Sequence, residues 1–150
     1  MDKLKTEKSD YYIQNFNFKS SGSYFPSSEY TQGIDRKFTI DIKQMENVDV
    51  VYMFVDPKTK DVLKFGDTEN CLSRLNKEYI SVTNTTNNKV RSHIKEIGGC
   101  DIYIKTLKTV IIDEGFGPVK VSAHSKVEKS LLNHFKNLNG RLPILNSQQK

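Results

Sequence analysis

A short series of reactive side chains runs in one order through the last two thirds of the sequence. The series is Tyr52, Lys64, Arg74, Glu128 and Asn146. Hydrolysis of a phosphodiester needs a deprotonated water, neutralisation of the charge that develops on the phosphate, and protonation or metal capture of the leaving oxygen. A phenol or amine, a guanidinium and a carboxylate can meet these needs. Phosphodiester hydrolysis is therefore the chemistry that this series suggests.

Each member of the series has a distinct role in such a reaction. Tyr52 or Lys64 accepts a proton from water, provided that neighbouring cations lower its pKa from about 10. Arg74 presents a planar fork that matches phosphate oxygens. Glu128 offers a hard oxygen to Mg²⁺ or Mn²⁺, and one carboxylate suffices because Mg²⁺ keeps water and substrate phosphate as further ligands. Asn146 holds the Glu128 helix or a nearby loop by hydrogen bonds.

Structural explanations also exist for each residue taken alone. Tyr52 fits a half-buried strand aromatic, and Lys64 fits an edge charge that discourages aggregation of a hairpin. Arg74 lies four residues before Glu78, and an ion pair at that spacing on a helix contributes about 0.3–0.5 kcal/mol. Glu128 fits the third position of a helix capping box. The occurrence of all these residues in one order favours a shared functional site over separate structural roles.

Tyr52 and Lys64 belong to a predicted β-hairpin. Val48 to Val55, which contains the apolar run Val50 to Val55, is typical of a buried strand, and residues 56–61 form a polar turn. Val62 to Phe65 is the returning strand. The hairpin therefore places the two side chains on neighbouring strands.

Arg74 belongs to the helix that follows the hairpin. Asp67 or Thr68 can cap this helix, and its apolar residues recur at helical spacing at Leu72, Leu75 and Tyr79. Further along the chain, Val90 to Ile97 predicts a short helix. Ile102 to Leu107 or beyond predicts a third strand.

Glu128 lies on the last predicted helix. Ser125 fits the N-cap of this helix, with Glu128 three positions later. Its apolar stripe has helical spacing and comprises Val127, Leu131, Phe135 and Leu138. Gly140 ends the helix, and Pro143 prevents its resuming.

The first 47 residues differ in composition from the rest of the chain. They hold eight of the fifteen aromatic residues, spaced among Ser, Gly and Asn without helical period. We predict an N-terminal arm over residues 1–47 and one domain over residues 48–150. Base stacking, groove binding, contact with a second subunit and packing on its own domain are all open to the arm. The predicted fold class is α+β, with a small mixed sheet of about three strands flanked by helices.

The net charge of +5 is confined to the end of the chain. Residues 1–47 and residues 48–118 are each neutral, whereas residues 119–150 carry six basic side chains and one acid. The basic residues predicted to contact nucleic-acid phosphates are Lys120, Lys126, Lys129, Lys136 and Arg141. A solvated helix face is the alternative explanation for the same charges.

Other classes of site lack sequence support. The chain has no P-loop, dinucleotide-binding, zincin or α/β-hydrolase motif. His93, His124 and His134 are not at metal-ligand spacing, and we predict surface or core-edge positions for them. Cys71 and Cys100 fit reduced thiols. Since the first residues are charged and the longest apolar run has six residues, we expect an intracellular, cytoplasmic protein that is not embedded in a membrane.

The ordered series resembles the GIY-YIG nuclease superfamily. In that family a first triplet ends in a catalytic Tyr, a second ends in Gly, an Arg and a Glu lie on successive helices, and Pro-x-x-Asn closes the module. Here the triplets are Val50-Val51-Tyr52 and Lys64-Phe65-Gly66, followed by Arg74, Glu128 and the segment Pro143 to Asn146. The resemblance covers residues 48–146.

Two departures from the family pattern are informative. Lys64 replaces the usual Tyr of the second triplet, which resembles the branch that contains some type II restriction enzymes and phage-associated domains. Four residues after Arg74, where the family often has His or Tyr, stands Glu78. Tyr79 is the next residue, and whether it takes the place of the usual His or Tyr is open.

The resemblance implies a metal-dependent endonuclease that acts on double-stranded DNA and leaves 5′-phosphate and 3′-hydroxyl ends. It also implies a compact restriction or phage-type enzyme, a homodimer if the target is palindromic, and a cognate methyltransferase if the enzyme is a restriction enzyme. A catalytically inactive nucleic-acid-binding module of the same fold is the alternative. A structural or assembly protein whose basic tail binds an acidic partner is the third hypothesis.

Overall fold

The computed structural model describes residues 5–27 and 33–146. Its main sheet is built from five strands: β1 (Lys19–Pro26), β2 (Ile34–Phe38), β3 (Val50–Val55), β4 (Val62–Thr68) and β5 (Cys100–Thr106). The strands lie in the order β2-β1-β5-β3-β4, and all neighbours are antiparallel.

Helices cover both faces of this sheet. They are α1 (Ser9–Phe16), α2 (Cys71–Ser73), α3 (Asn88–Ile97) and α4 (His124–Asn139). Side chains of α3 and of the segment after α2 pack with Tyr52 on one face, whereas α1 and α4 pack with Met53 on the other. The predicted α+β class is confirmed.

The predicted hairpin is also confirmed. Strand β3 pairs with β4, and this pairing sets Tyr52 opposite Gly66 and Phe54 opposite Lys64. Every residue of β3 is buried. The strand lies between β4 and β5 and helices cover both of its faces, so an unbroken apolar run suits this position.

The N-terminal segment differs from the predicted arm. Its strands β1 and β2 extend the main sheet, which has five strands rather than about three and is antiparallel rather than mixed. The pairing of β1 with β5 sets Tyr24 opposite Cys100. Tyr12, Phe18 and Tyr24 are at most 3% exposed. Of the alternatives open to this segment, the structure shows packing on its own domain. Local periodicity could not select that alternative, because β1 pairs with a strand about 80 residues away in the sequence.

The helix caps differ from those predicted. Helix α4 begins at His124 without a side-chain cap, so the predicted capping box of Ser125 and Glu128 is wrong. The N-cap of α2 is Asn70, whose side chain accepts a hydrogen bond from the Ser73 amide, rather than Asp67 or Thr68. The predicted end of α4 at Gly140 is confirmed, since this glycine adopts a left-handed conformation with φ of 75°.

A second, two-stranded sheet lies outside the main one. It is a hairpin of β6 (Val110–Ile112) and β7 (Val119–Val121), connecting β5 to α4. The loop predicted at residues 114–118 forms its tip. Both cysteines are buried free thiols, as predicted.

Candidate active site

A cleft of about 330 Å³ opens beside the β3–β4 hairpin. Five of the six residues predicted to be catalytic line this cleft, namely Tyr52, Lys64, Arg74, Tyr79 and Glu128. The sixth, Asn146, lies behind it against β4. The fold therefore brings together side chains from β3, β4, α4 and the segment after α2, as the sequence pattern required.

Tyr52 forms the buried floor of the cleft. Its side chain is 1% exposed, and its hydroxyl lies 2.7 Å from the hydroxyl of Tyr79. The same oxygen accepts a hydrogen bond of 3.2 Å from Nη1 of Arg74. Burial raises the pKa of Tyr52, although Arg74 and Tyr79 oppose the shift. Proton acceptance by Tyr52 requires a lowered pKa, so this side chain on its own does not meet that condition.

Arg74 is held in place by hydrogen bonds along its guanidinium group. Nε donates to Glu78 at 3.2 Å, and Nη1 donates to Tyr52 at 3.2 Å and to the Asp67 carbonyl at 3.1 Å. Burial alone would lower the pKa of Arg74, but the nearby tyrosine and carboxylate groups raise it above its ordinary value. The predicted ion pair with Glu78 is therefore present, and it orients a permanent cation beside the cleft.

A π-helical turn explains how Tyr79 reaches Tyr52. Helix α2 continues into this turn over Arg74–Glu78, and the Tyr79 amide donates to the Arg74 carbonyl five residues earlier at 3.4 Å. In a regular α-helix, the residue four positions after Arg74 would make this bond. The extra residue of the π-turn brings Tyr79, rather than Glu78, into contact with Tyr52. Such turns frequently occur at functional sites.

Gly66 leaves room for the Tyr52 ring. A Cβ atom at Gly66 would lie 2.1 Å from Cζ of Tyr52, which is far inside van der Waals contact. The glycine that ends the second triplet thus has a steric role, because only a residue without a side chain lets the tyrosine cross the neighbouring strand.

We expect Gly66→Ala to destabilise the fold by about 1–3 kcal/mol, because the added methyl group overpacks a buried ring. Chemical denaturation measures this loss. The same substitution in a Tyr52→Ala background should cost much less, since the clashing ring is then absent. An equal cost in both backgrounds would contradict the steric explanation.

Lys64 faces the cleft from β4 and is half-buried. Burial lowers the pKa of its amine, and the neighbouring Glu128 opposes this shift. A lower amine pKa increases the neutral fraction that can accept a proton. Of the two proton acceptors considered from the sequence, Lys64 is therefore the one whose pKa moves in the required direction.

Sequence reasoning missed Asp67 and His124. Asp67 lines the cleft, and its side chain forms a hydrogen bond with Glu128. His124 contacts Asp67 through Nδ1, and its Nε2 lies 3.3 Å from Oε1 of Glu69. The predicted surface or core-edge role of His124 thus omits its contact with the site. The spacing of His124 and Glu128, four residues apart on one helix, is the signal that could have found it.

The neighbouring carboxyl groups of Asp67 and Glu128 have pKa values shifted in opposite directions. Burial and the neighbouring Asp67 raise the pKa of Glu128 to about 8. Burial alone would raise the pKa of Asp67 as well. Hydrogen bonds with Glu128 and His124 outweigh burial and hold the pKa of Asp67 below its ordinary value. Of the two carboxyl groups, Glu128 is therefore the more readily protonated.

This carboxylate pair fits a hard divalent cation. Carboxylate oxygens are the ligands that Mg²⁺ prefers, and Mg²⁺ usually takes only one or two of them from a protein. Among residues 5–27 and 33–146, no group of three or more His, Cys, Asp or Glu side chains is placed to hold a metal. The donor set suits Mg²⁺ or Mn²⁺ with water and phosphate as further ligands, and it does not suit a closed structural zinc site.

Asn146 fixes the outer edge of β4. Its side-chain amide donates to the Phe65 carbonyl at 2.9 Å, and its side-chain carbonyl accepts from the Phe65 amide at 2.8 Å. These two bonds replace those of a neighbouring strand. Since Phe65 lies between Lys64 and Gly66, Asn146 holds the strand that carries the second triplet, rather than the Glu128 helix.

We expect Asn146→Ala to destabilise the protein, because it leaves two buried backbone groups of Phe65 without partners, at a cost of about 1–3 kcal/mol each. Thermal and urea unfolding would measure the effect. Asn137→Ala, at an exposed position of α4, is the matched control and should be nearly neutral. Equal stabilities of the two variants would contradict the assigned role.

The predicted nucleic-acid-binding residues lie outside the cleft. Lys126, Lys129 and Lys136 are exposed on α4. Nζ of Lys120 lies 3.6 Å from the buried Asp49 carboxylate, and the Arg141 guanidinium stacks 5.6 Å above the ring of Phe135. In the described part of the chain, no helix is long and apolar enough to cross a membrane.

The sheet, its helices and the cleft together define a small α+β fold that solved structures of two endonucleases share. Over 100% of this chain and 98% of the other, it is similar to the restriction endonuclease HPY188I in complex with product DNA, with a TM-score of 0.55 and 19% identity. It is also similar to a mutant of bacteriophage T4 EndoII, with a TM-score of 0.64 and 14% identity over 86% of this chain and 95% of that one. No protein-family model and no curated protein matches the sequence.

Proposed function

We propose that this protein is a metal-dependent DNA endonuclease of the GIY-YIG type, in the branch with lysine in the second triplet. The observation that supports this most strongly is the convergence of Tyr52, Lys64, Arg74 and Glu128 on one cleft from separate elements. A fold shared with a restriction endonuclease bound to product DNA adds independent support.

Arg74 is proposed to bind the scissile phosphate. Its Nε and Nη1 atoms are engaged by the protein, whereas Nη2 has no hydrogen bond to any residue in the described ranges. Nη2 is therefore available to a phosphate oxygen. The fixed orientation of the guanidinium means that little conformational freedom is lost when it stabilises charge developing on the phosphate.

Lys64 and Tyr52 are proposed to handle the attacking water. The lowered pKa of Lys64 suits it to accept the water proton. The Tyr52 oxygen, which already accepts a hydrogen bond from Arg74, orients the water in the cleft. Tyr79 fixes the Tyr52 hydroxyl from the buried side.

Glu128, with Asp67 beside it, would hold Mg²⁺ or Mn²⁺. When bound there, the cation supplies Lewis-acid stabilisation of the phosphate and of the leaving oxygen. His124 orients Asp67, and Asp67 in turn orients the Glu128 carboxyl. Asn146 holds β4 in place and so fixes the position of Lys64 relative to Glu128 and Asp67.

Incubation of the purified protein with supercoiled plasmid tests the proposal. We expect nicked or linear DNA with Mg²⁺ or Mn²⁺ and none with a chelator, and the ends should carry 5′-phosphates. DNA binding without cleavage under every metal condition would instead favour the catalytically inactive module. Glu78, at a position where the family often has His or Tyr, is the feature of the sequence that favours this alternative, and the contact of Tyr79 with Tyr52 weakens that support.

The exposed lysines of α4 are proposed to contact the DNA backbone. We expect replacement of Lys126, Lys129 and Lys136 by alanine to weaken binding at low salt and to reduce the slope of log K against log salt by up to about 3. Binding titrations with a chelator present would measure this slope. Alanine at the exposed lysines Lys37, Lys43 and Lys58 is the control, and an equal change there would point to net charge rather than a defined surface.

A further inference from the structure

The loop that precedes α3 forms a wall of the active-site cleft. Thr86, Asn87 and Lys89 line the cleft together with the proposed catalytic residues. They lie on a 3-10 turn over Thr85–Asn87 and on the first turn of α3. None of the three is among the residues predicted from the sequence to be catalytic or to contact nucleic acid. The proposed reaction therefore leaves this wall of the cleft without a role.

Hydrogen bonds fix this wall relative to Tyr79. Arg91 of α3 is 2% exposed, and its guanidinium donates to the Tyr79 carbonyl at 3.3 Å and to the Asn84 carbonyl at 2.6 Å. The side-chain amide of Asn87 donates to the Glu78 carbonyl at 3.3 Å. Hydrogen bonds from a charged donor are roughly twice as strong as neutral ones, so the buried guanidinium holds the loop firmly. Side chains on the loop therefore keep a set position in the cleft.

Two donors on this wall have no partner in the described part of the chain. Lys89 and Thr86 are exposed, and neither the Lys89 amine nor the Thr86 hydroxyl makes a hydrogen bond or an ion pair with a described residue. The amine of Lys105, by contrast, donates to the Phe16 carbonyl at 2.8 Å. Lys89 thus brings to the cleft a positive charge that the fold itself does not use.

The chemistry of these donors indicates a phosphate as their ligand. An amine and a hydroxyl both donate to phosphate oxygens, and they line the same cleft as Arg74, which is proposed to bind the scissile phosphate. Lysine is a compact point charge on a flexible stem. It therefore suits a phosphate that is held in place but does not react.

We propose that Lys89 and Thr86 bind the phosphate next to the scissile one on the cleaved strand. This inference rests on the proposed nuclease function and adds a second phosphate contact to that of Arg74. Contacts to two neighbouring phosphates fix the direction of the strand through the cleft, whereas a single contact leaves the strand free to rotate about it. Orientation of a bound substrate in this way favours reaction, because the attacking and reacting groups are already aligned.

Binding titrations with a chelator present test this contact without cleavage. We expect Lys89→Ala to weaken binding to duplex DNA about five- to tenfold at low salt, and to reduce the slope of log K against log salt by about 1. Thr86→Val should weaken binding about threefold, since it removes a neutral hydrogen bond. Lys77→Ala, at an exposed position of the π-turn outside the cleft lining, is the matched control and should bind like wild type. Equal effects of Lys89→Ala and Lys77→Ala would contradict the proposed contact.

An uncharged methylphosphonate linkage, moved one position at a time along each strand of the DNA, locates the phosphate. In the wild type, this change at the phosphate that Lys89 contacts should weaken binding about five- to tenfold. In Lys89→Ala the same change should have little further effect, because the charge pair is already lost. Arg74→Gln identifies the phosphate that Arg74 binds in the same way. We expect the two positions to be neighbours on one strand.

Two results would overturn the proposal. One is that no linkage position loses its effect specifically in Lys89→Ala, and the other is that this position lies far from the one identified by Arg74→Gln. Circular dichroism would establish that the variants fold. Because neither binding measurement depends on cleavage, failure of this proposal is distinguishable from failure of the nuclease proposal.

Discussion

Replacement of Glu128 by alanine is expected to lower metal-dependent DNA cleavage by about a thousandfold, since loss of the cation's stabilisation of the transition state costs several kcal/mol. The supporting observation is the contact of Glu128 with Asp67 at the edge of the cleft. Quantified plasmid cleavage with a range of Mg²⁺ and Mn²⁺ concentrations would measure the loss.

Measurement of the free energy of unfolding distinguishes loss of the metal site in Glu128→Ala from unfolding of the protein. Removal of Glu128 takes away one of two neighbouring half-buried carboxyl groups, so we expect the free energy of unfolding to change little or to rise. Glu96→Ala, at an exposed helical position on α3, is the matched control and should cleave like wild type. Wild-type cleavage by the Glu128 variant would rule out the proposed metal site.

Tyr52→Phe is expected to reduce cleavage by about a hundredfold or more, the range typical of a group that acts on the proton transfer or its water. Tyr79→Phe removes the same 2.7 Å hydrogen bond from the other side. Because Tyr79 only orients its partner, we expect the loss for that variant to be about tenfold or less. Single-turnover cleavage rates at saturating DNA would compare the two.

Both variants should lose stability in the range of about 1–3 kcal/mol, since each removes the hydrogen bond between the two hydroxyls. Tyr79→Phe leaves the Tyr52 hydroxyl bonded to Arg74, whereas Tyr52→Phe removes that bond as well. Because both variants lose stability in the same range, loss of stability alone does not explain a difference in their activity. Equal losses of activity would indicate that Tyr52 is a structural residue. A larger loss for Tyr79→Phe would exchange the two roles.

Local features of the fold were predictable because their interactions lie close together in the sequence. The apolar run of β3, the polar turn and the returning β4 specify a hairpin without reference to the rest of the chain. Gly140 ends α4 for an equally local reason, since it adopts the left-handed conformation that glycine accepts readily. The aromatic N-terminal segment, by contrast, carried no local signal of the strand partner that buries it.

Glu128 shows how the structure decided between two explanations. As a sequence position it fitted both a capping box with Ser125 and a metal ligand. Helix α4 begins two residues earlier than the capping box requires, and the side chain contacts Asp67 instead. The capping explanation is therefore wrong, and the metal site stays a proposal.

The sequence by itself determined the identity and order of the cleft residues, because residue type limits chemistry and the hairpin and helices that carry them form from local patterns. Only the tertiary structure decided which residues complete the cleft. Asp67 and His124 meet across 57 positions of sequence, and Tyr79 reaches Tyr52 through a π-turn that helical periodicity does not predict. Such contacts depend on how β4, α4 and the segment after α2 pack together, and packing is a property of the whole chain.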